Sequence, residues 1–564
     1  MFVRVRPRLS VLVHSFILSI SPQQCYDHTK RIHDPTVTKP KKAGKMTPKD
    51  NHPHSWKEAV RAFFHPPVVA MLFLGFSAGL PILLIFSSLS LWLREAGIER
   101  SAVTFFSWAA LGYSFKFVWA PLIDRLPLPI LTRLLGRRRA WLFFAQISVG
   151  MAICTMACID PARGDHQLIL MAFAAVALGF CSATQDIVID AYRIESAAKE
   201  YQALMASTYV AGYRIAMILA GAGALFLADY LGSTKEAYSY QAWKWTYLIM
   251  GLTMLVGMVT TLVIPEPQGQ PRSSSMRGQG DYLRFLLLFV LAVSGFVLAF
   301  FYSGVPVGVL KQMLKGSSVN VHVISFALEG IRLAAGVVVS YIIAHLLIKM
   351  GLVHRIMVQE TYIDPIVDFF ERYGKGLAFL ILALVGLYRI SDIVLGVISN
   401  VFYQDLGYSK TEIAAVAKTF GLFMTILGGF VGGILSVKQG VVRILFLGAL
   451  LSAATNLLFM LLANTGYNMP MLYLVISADN LASGLASAAF VAFLSSLTDI
   501  KFTAMQYALF SSLMTLIPKI TGGYAGTLVD RFGYQTFFLI TALIGMPVLI
   551  LVWLAGRYLS LKES

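Results

Sequence analysis

Long apolar windows recur along this chain and determine its predicted organisation. Windows of about 20 apolar residues, the length that crosses a bilayer as a helix, follow one another with short polar loops between them. Six fall in the first half, at 68–91, 103–123, 140–159, 168–191, 207–230 and 243–264. Two more lie at 282–303 and 323–349, and the last six at 376–401, 411–437, 440–463, 470–495, 503–528 and 534–556. The pattern predicts an all-α integral membrane protein with 14 transmembrane helices, arranged as six, two and six.

Breaks in the apolar pattern divide the chain into four predicted segments. Residues 1–67 are polar and contain twelve Lys or Arg, so we expect a basic, mostly disordered cytoplasmic segment. Residues 68–264 form a six-helix bundle, and 376–564 form a second one. The segment between them, 265–375, begins with a Pro/Ser/Gly-rich linker and contains the two extra helices, followed by an interfacial helix that ends at Gly374.

Composition and charge agree with a multi-pass membrane protein. Of 564 residues, 57% are hydrophobic and only 13% are charged, while the formal net charge is +17. This charge does not indicate nucleic-acid binding, because the loops on alternate sides differ in Lys and Arg content. With a cytoplasmic N-terminus, the inner loops and the C-terminus hold 19 such residues and the outer loops nine. The positive-inside rule therefore predicts that both termini are cytoplasmic. The four cysteines follow no metal or disulfide spacing, so we expect no metal site.

One charged stretch interrupts an apolar window. The sequence S-A-T-Q-D-I-V-I-D-A-Y-R, from Ser182 to Arg193, ends a run long enough to span the membrane. Asp186, Asp190 and Arg193 have helical spacing i, i+4, i+7 and therefore share one face. A charge at the centre of a membrane helix costs about 2.5–3.5 kcal/mol on insertion scales, so it is rarely without a role. This face is a candidate for handling a solute or a coupling proton.

Charged residues deep within the predicted spans follow a pattern. Six basic residues and four acids lie at comparable depth: Lys116, Arg214, Arg332, Arg389, Lys418, Lys519, Asp186, Glu329, Asp392 and Asp479. Within the two six-helix bundles, the acids lie in first and fourth helices and each second or fifth helix holds one base. This pattern is expected when helices facing a central aqueous cavity carry the charges. Arg389 and Asp392, at i, i+3, either neutralise each other locally or line that cavity.

The loop after the second predicted span is a candidate gate. Ala120-Pro121-Leu122-Ile123-Asp124-Arg125, followed by Gly136-Arg137-Arg138-Arg139, resembles the loop between the second and third helices of major facilitator transporters. Such a cluster would help to hold the cytoplasmic side closed, and the alternative is that the arginines only anchor the loop on that side. The predicted gating residues are Asp124, Arg125, Arg137, Arg138, Arg139 and Arg193.

Several motifs in the same order are similar to those of the AmpG muropeptide permease family. They are L-G-F-S-A-G-L-P (74–81), W-L-R-E-A-G (92–97), K-F-V-W-A-P-L-I-D-R (116–125), L-G-R-R-R (135–139), A-T-Q-D-I-V-I-D-A-Y-R (183–193) and L-Y-R-I-S-D-I-V-L-G (387–396). The resemblance implies a major facilitator fold in the inner membrane of Gram-negative bacteria. It further implies proton-driven import of N-acetylglucosaminyl-1,6-anhydro-N-acetylmuramyl peptides, which supplies cell-wall recycling and β-lactamase induction. No cofactor other than the proton gradient is then expected.

The expected solute is a polar, anionic glycopeptide, which suggests roles for the charged residues. Proton coupling is predicted for Asp186, Asp392 and Asp190. Substrate binding is predicted for Gln185, Ser182, Lys116, Arg214, Arg389, Lys519 and Asp479. The expected partners are this small molecule and membrane lipid, with a monomeric chain and no nucleic acid.

Two alternative functions remain open from the sequence. One is a related carrier of another bulky anion, such as acetyl-coenzyme A. The other is a polytopic membrane enzyme, but neither His322 nor His345 has an adjacent acid or nucleophile in the sequence. We therefore expect a transporter and not an enzyme.

Overall fold

The computed structural model describes Lys57, 61–98, Tyr113, 115–234, 237–267, 279–313, 321–522 and 524–563. Residues from His52 to the C-terminus belong to one compact unit. Throughout the described residues the secondary structure is helical and includes no strand, so the all-α prediction is confirmed. The predicted disordered segment lies outside the described residues, except for Lys57 and 61–67.

The N-terminal half contains five described helices that are long and apolar enough to span a membrane. The helices of this half, including two short ones, are α1 (Pro66–Glu95), α2 (Ala120–Arg125), α3 (Leu131–Leu135), α4 (Arg137–Ala157), α5 (Asp165–Ser196), α6 (Lys199–Tyr230) and α7 (Tyr240–Val263). The predicted span at 103–123 lies mostly outside the described residues. Its final part is a short 3-10 turn, Lys116–Val118, which leads into α2.

The insertion between the halves forms a helical hairpin. Its helices are α8 (Gly280–Leu310) and α9 (Val321–Lys349). They pack closely where Ser340 donates a hydrogen bond of 2.7 Å to the carbonyl of Ala292. From Gly330 to Lys349, the apolar side chains of α9 are mostly exposed, as expected for a surface that faces lipid. After the hairpin, Gln359–Ile363 leads into α10 (Asp364–Tyr373), at the position of the predicted interfacial helix.

The C-terminal half contains six further spanning helices. They are α11 (Lys375–Asp405), α12 (Thr411–Gln439), α13 (Val441–Thr465), α14 (Met469–Leu497), α15 (Thr503–Gly522) and α16 (Ala525–Glu563). Gly533, with φ of 74°, breaks α16 before its membrane-spanning part. The described residues thus contain 13 candidate spans. Together with the predicted span at 103–123, this agrees with the expected fourteen.

Glycines allow helices within each half to pack so closely that their backbones are in contact. A Cβ atom on Gly79 of α1 would lie 2.3 Å from a carbonyl oxygen of α6, and one on Gly212 of α6 would lie 1.8 Å from a carbonyl oxygen of α1. In the second half, a Cβ atom on Gly428 of α12 would lie 2.1 Å from a carbonyl oxygen of α14. These distances are too short for any side chain, so glycine is required for the observed packing.

The two halves meet at one end of the molecule. Helix α6 packs against α12 and α14, while α5 and α2 pack against α15. A Cβ atom on Gly433 of α12 would lie 2.9 Å from the hydroxyl oxygen of Ser207 on α6. These contacts involve the end of α5 and the beginnings of α6 and α15. The halves therefore meet near the side that the charge pattern predicts to be cytoplasmic.

Candidate functional site

The charged face predicted on α5 is present and forms an ionic network. Because α5 is helical throughout, Asp190 and Arg193 lie one turn apart and pair at 3.2 Å. The ammonium of Lys116 lies 3.6 Å from the other carboxylate oxygen of Asp190. Arg193 is buried, and its guanidinium lies 5.1 Å from the ring centre of Tyr507 on α15. This cation–π contact joins the two halves.

Asp186 lies one turn further into the membrane, among tyrosines. It is close enough to Lys116 and Asp190 to interact electrostatically with both, and the hydroxyl of Tyr209 on α6 lies beside its carboxylate. Tyr113 and Tyr213 are also within electrostatic range of Asp186. One carboxylate oxygen of Asp186 is buried and has no hydrogen-bond partner among the described residues. Burying a carboxylate oxygen without a hydrogen-bond donor costs free energy when the carboxylate is ionised.

Ser182 and Gln185 are on the same helix but are fully buried inside the N-terminal half. The hydroxyl of Tyr113 donates a 2.8 Å hydrogen bond to Ser182. The amide nitrogen of Gln185 donates to the hydroxyl of Ser77 on α1 at 3.2 Å. Their role as substrate ligands stays a prediction, and it requires a conformation in which both side chains become accessible.

In the C-terminal half, Arg389 lies at a break in α11. The helix is interrupted at Tyr388 and Arg389, between Lys375–Leu387 and Ile390–Asp405. Arg389 pairs with Asp392 at 3.2 Å, which confirms the predicted local ion pair. It also donates to the hydroxyl of Ser487 on α14 at 2.6 Å. Interrupted helices near the middle of the membrane recur at transporter binding sites. The sequence did not predict this break.

The other predicted ligands lie at different distances from this cluster. Asp479 accepts a 3.4 Å hydrogen bond from Thr455 and is within electrostatic range of Arg389. Arg214 of α6 is close enough to Arg389 for their positive charges to repel each other. Its one recorded side-chain hydrogen bond goes to a methionine sulfur at 3.9 Å. Lys519 is exposed near the end of α15, and no ion pair joins it to a described residue.

The predicted gate is built around a buried arginine. Arg138, at the start of α4, pairs with Asp124 at 2.7 Å and with Glu195 at 2.6 Å. The carboxylate of Asp124 also accepts hydrogen bonds from the backbone N–H groups of Met505, at 3.1 Å, and Ala504, at 3.4 Å. Both groups belong to the first turn of α15, so a carboxylate of one half caps a helix of the other.

The remaining gate arginines are also engaged. Arg137 lies 3.5 Å from Glu195, and Arg125 lies 3.4 Å from Glu360, just before α10. Arg139 donates to two carbonyl groups at the end of α7. Sequence reasoning missed Glu195 and Glu360, because charged residues at loop ends are common and nothing local indicates a partner so distant in the chain. The residues brought together at this end support gating by geometry, while their role stays a prediction.

No group of three or more His, Cys, Asp or Glu side chains in the described ranges could hold a metal ion. The site provides paired and unpaired charges, hydroxyl groups and one helix interruption, at Tyr388 and Arg389 of α11. That chemistry suits the binding of a polar or charged solute between two helical bundles.

Comparison with known proteins defines the class. A profile of the Major Facilitator Superfamily matches residues 101–359 and 378–563. A solved structure of the proton:xylose symporter XylE, a member of that superfamily, superposes with a TM-score of 0.54 at 12% identity, covering 88% of this chain and 96% of the symporter. FucP in its outward conformation gives a TM-score of 0.52 at 12% identity and covers 88% and 99%. The chain belongs to the Major Facilitator Superfamily, and it is a transporter and not an enzyme.

Within the superfamily, curated relatives specify the family. A Rickettsia felis protein named as an AmpG-type transporter (AmpG 4) is 30% identical over 87% of this chain and 96% of its own length. The anhydromuropeptide permease of Escherichia coli K12 is 28% identical over 89% of this chain and 82% of its own length. The chain therefore belongs to the AmpG permease family, as its motifs indicated.

Proposed function

We propose that this chain imports anhydromuropeptides across the bacterial inner membrane by symport with protons. The proposal starts from the relatives, one of which is named anhydromuropeptide permease. The solute would be an N-acetylglucosaminyl-1,6-anhydro-N-acetylmuramyl peptide, which combines sugar hydroxyl groups with peptide carboxylates. Its import would supply cell-wall recycling and, through that supply, β-lactamase induction.

The observation that carries the proposal is the presence of two arginines, Arg214 and Arg389, within electrostatic range of each other. Arg214 belongs to the N-terminal half and Arg389 to the C-terminal half, and their charges repel. Arg389 has Asp392 as a partner, whereas no ion pair between Arg214 and a described acid is recorded. A solute carboxylate placed between the two guanidinium groups would offset this repulsion and would bind both halves at once. Ser483 and Ser487, beside Arg389, offer hydroxyl groups for the sugar.

Asp186 is the proposed proton carrier. Its buried carboxylate oxygen has no described donor, so the neutral acid suits this environment better than the anion does. Lys116 and Asp190 lie nearby, and a proton on Asp186 would change the charge balance of this group. A proton that moves inward gains about 2.3 kcal/mol per 100 mV of membrane potential. Coupling follows if solute and proton must both be bound before the halves rearrange.

The end at which the halves meet is compatible with import. Their contacts lie near the side predicted to be cytoplasmic, which supports a state that admits solute from the periplasm, and an inward proton gradient would set the direction. In this topology both termini are cytoplasmic. One chain contains both halves, so a monomer is sufficient for the cycle.

The test is uptake of labelled anhydromuropeptide into proteoliposomes containing Asp186→Asn. We expect wild-type protein to accumulate solute when a proton gradient is imposed and Asp186→Asn to lose that accumulation while still exchanging labelled for unlabelled solute. Asp165→Asn is the matched control, because Asp165 is an exposed acid at the start of the same helix. Gradient-driven accumulation by Asp186→Asn at the wild-type level would exclude Asp186 as the carrier.

A further inference from the structure

A cavity of about 760 Å³ lies away from the central charged residues, at the end where the halves meet. It is open on one side and is lined by the start of α13, the end of α14 and the last turns of α16, with Lys199 from the start of α6. Its lining contains three cationic side chains, Lys199, Arg443 and Arg557, and no acidic residue among those that the structure describes. The cavity is therefore electropositive and suited to an anion.

The cavity wall is apolar and continues onto the lipid-facing surface. Phe446 and Trp553 line it, and they are 38% and 55% exposed on the outside of α13 and α16. The guanidinium of Arg557, one turn beyond Trp553, lies 5.7 Å from the centre of that ring. Aromatic rings with basic groups just beyond them are typical of the border between hydrocarbon and headgroups. A ligand here would have its charge at headgroup depth and an apolar portion against these rings.

The cations of this cavity come from both halves of the molecule. Lys199 belongs to the N-terminal half, whereas Arg443 belongs to the C-terminal half, and neither has a recorded ion pair with a described residue. Bringing the halves together at this end thus places like charges around one cavity. A bound anion would remove this unfavourable interaction and contact both halves.

We propose that this cavity binds the headgroup phosphate of an anionic phospholipid from the adjacent leaflet, with an acyl chain along Phe446 and Trp553. Anionic lipids are attracted to basic pockets between membrane helices on the cytoplasmic side, where the charge pattern places this cavity. The lipid is favoured over a soluble phosphate because the cavity opens along an apolar, lipid-facing wall. This inference is independent of the transported solute.

Native mass spectrometry of the full-length protein tests the proposal. The purified protein is incubated with equimolar phosphatidylglycerol and phosphatidylcholine that carry the same acyl chains, and the bound lipids are counted. We expect wild-type protein to retain more phosphatidylglycerol, and Arg443→Gln to bind it about fivefold more weakly, since one basic residue at a charged surface contributes about that factor. Phosphatidylcholine binding should not change, and Arg443→Lys should retain the preference.

Arg531→Gln is the matched control. It removes the same charge from an exposed position before the membrane-spanning part of α16, at the other end of the helix. Equal retention of the two lipids by the wild-type protein would overturn the proposal, as would an unchanged preference in Arg443→Gln or an equal loss in Arg531→Gln. Displacement of the lipid by millimolar glycerol 3-phosphate would also overturn it, because the cavity would then be a site for soluble phosphate.

Discussion

Replacing Asp124 with asparagine should weaken the contact between the two halves. Asp124 is almost fully buried and interacts with Arg138 of its own half and with the first turn of α15 in the other half. Asparagine has nearly the same size and can still accept one of the backbone hydrogen bonds. The substitution therefore removes charge from the contact and leaves its packing in place.

The size of the effect follows from which interactions are lost. Arg138 keeps Glu195 as a partner at 2.6 Å, so the mutation does not leave an unpaired buried cation, which would cost about 3–5 kcal/mol. What is lost between the halves is the attraction of a carboxylate to the N-terminus of α15. Such an interaction contributes up to about 2 kcal/mol in partly buried sites. A loss of about 1–2 kcal/mol would raise the ratio of open to closed molecules about 5- to 30-fold at this end.

The assay is a distance measurement between spin labels on the two halves. Leu134 and Tyr558 are 75% and 51% exposed at the end where the halves meet, so cysteines there can carry labels. The four native cysteines are first replaced by serine. Pulsed electron paramagnetic resonance should give one dominant distance in the parent protein, and Asp124→Asn should add a population at longer distance.

Asp160→Asn is the control for this measurement. Asp160 forms its recorded contacts within the N-terminal half, with Arg163 at 3.1 Å and the hydroxyl of Tyr238 at 2.9 Å. Its loss should leave the label distance unchanged. The same distance distribution for Asp124→Asn and the parent would refute this role of Asp124. A longer population of the same size in Asp160→Asn would refute it as well.

Three further changes have defined expectations. Arg214→Gln should weaken competition by peptide-bearing solute about 10- to 150-fold, since a charge-assisted hydrogen bond contributes about 1.5–3 kcal/mol, with little effect on the bare disaccharide; equal effects on both would contradict this. Gly79→Ala should lower the melting temperature in detergent, because its Cβ would lie 2.3 Å from a carbonyl oxygen, whereas Gly396→Ala, with nothing within 4 Å, should not. Glu360→Gln should change the label distances little, because its pair with Arg125 at 3.4 Å is partly exposed and such pairs contribute about 0–1 kcal/mol; a shift as large as that of Asp124→Asn would be inconsistent.

The local sequence pattern was sufficient to predict the transmembrane spans and the ion pairs within single helices. The period of the apolar windows reflects the thickness of the bilayer, so 13 candidate spans could be located before the structure was known. Helical spacing likewise predicted that Asp190 and Arg193 share a face and that Arg389 can reach Asp392. These are properties of one helix, and they do not depend on how helices are arranged.

Contacts between distant parts of the chain could not be predicted in this way. The carboxylate of Asp124 meets backbone N–H groups more than 370 residues later, and no side-chain type marks that partner. The break in α11 at Arg389 has no proline to indicate it. The electrostatic interaction between Arg214 and Arg389 depends on how the two halves pack against each other. Many sequences with the same apolar periodicity could pack their halves differently.

The decisive measurement is uptake of a labelled N-acetylglucosaminyl-1,6-anhydro-N-acetylmuramyl peptide by proteoliposomes that contain only the wild-type protein. With an inwardly directed proton gradient, the solute should accumulate above its external concentration, and a protonophore should reduce it to equilibrium. Accumulation that is unaffected by the gradient, or no uptake of this solute, would contradict the proposal that these charged residues couple protons to an anionic glycopeptide.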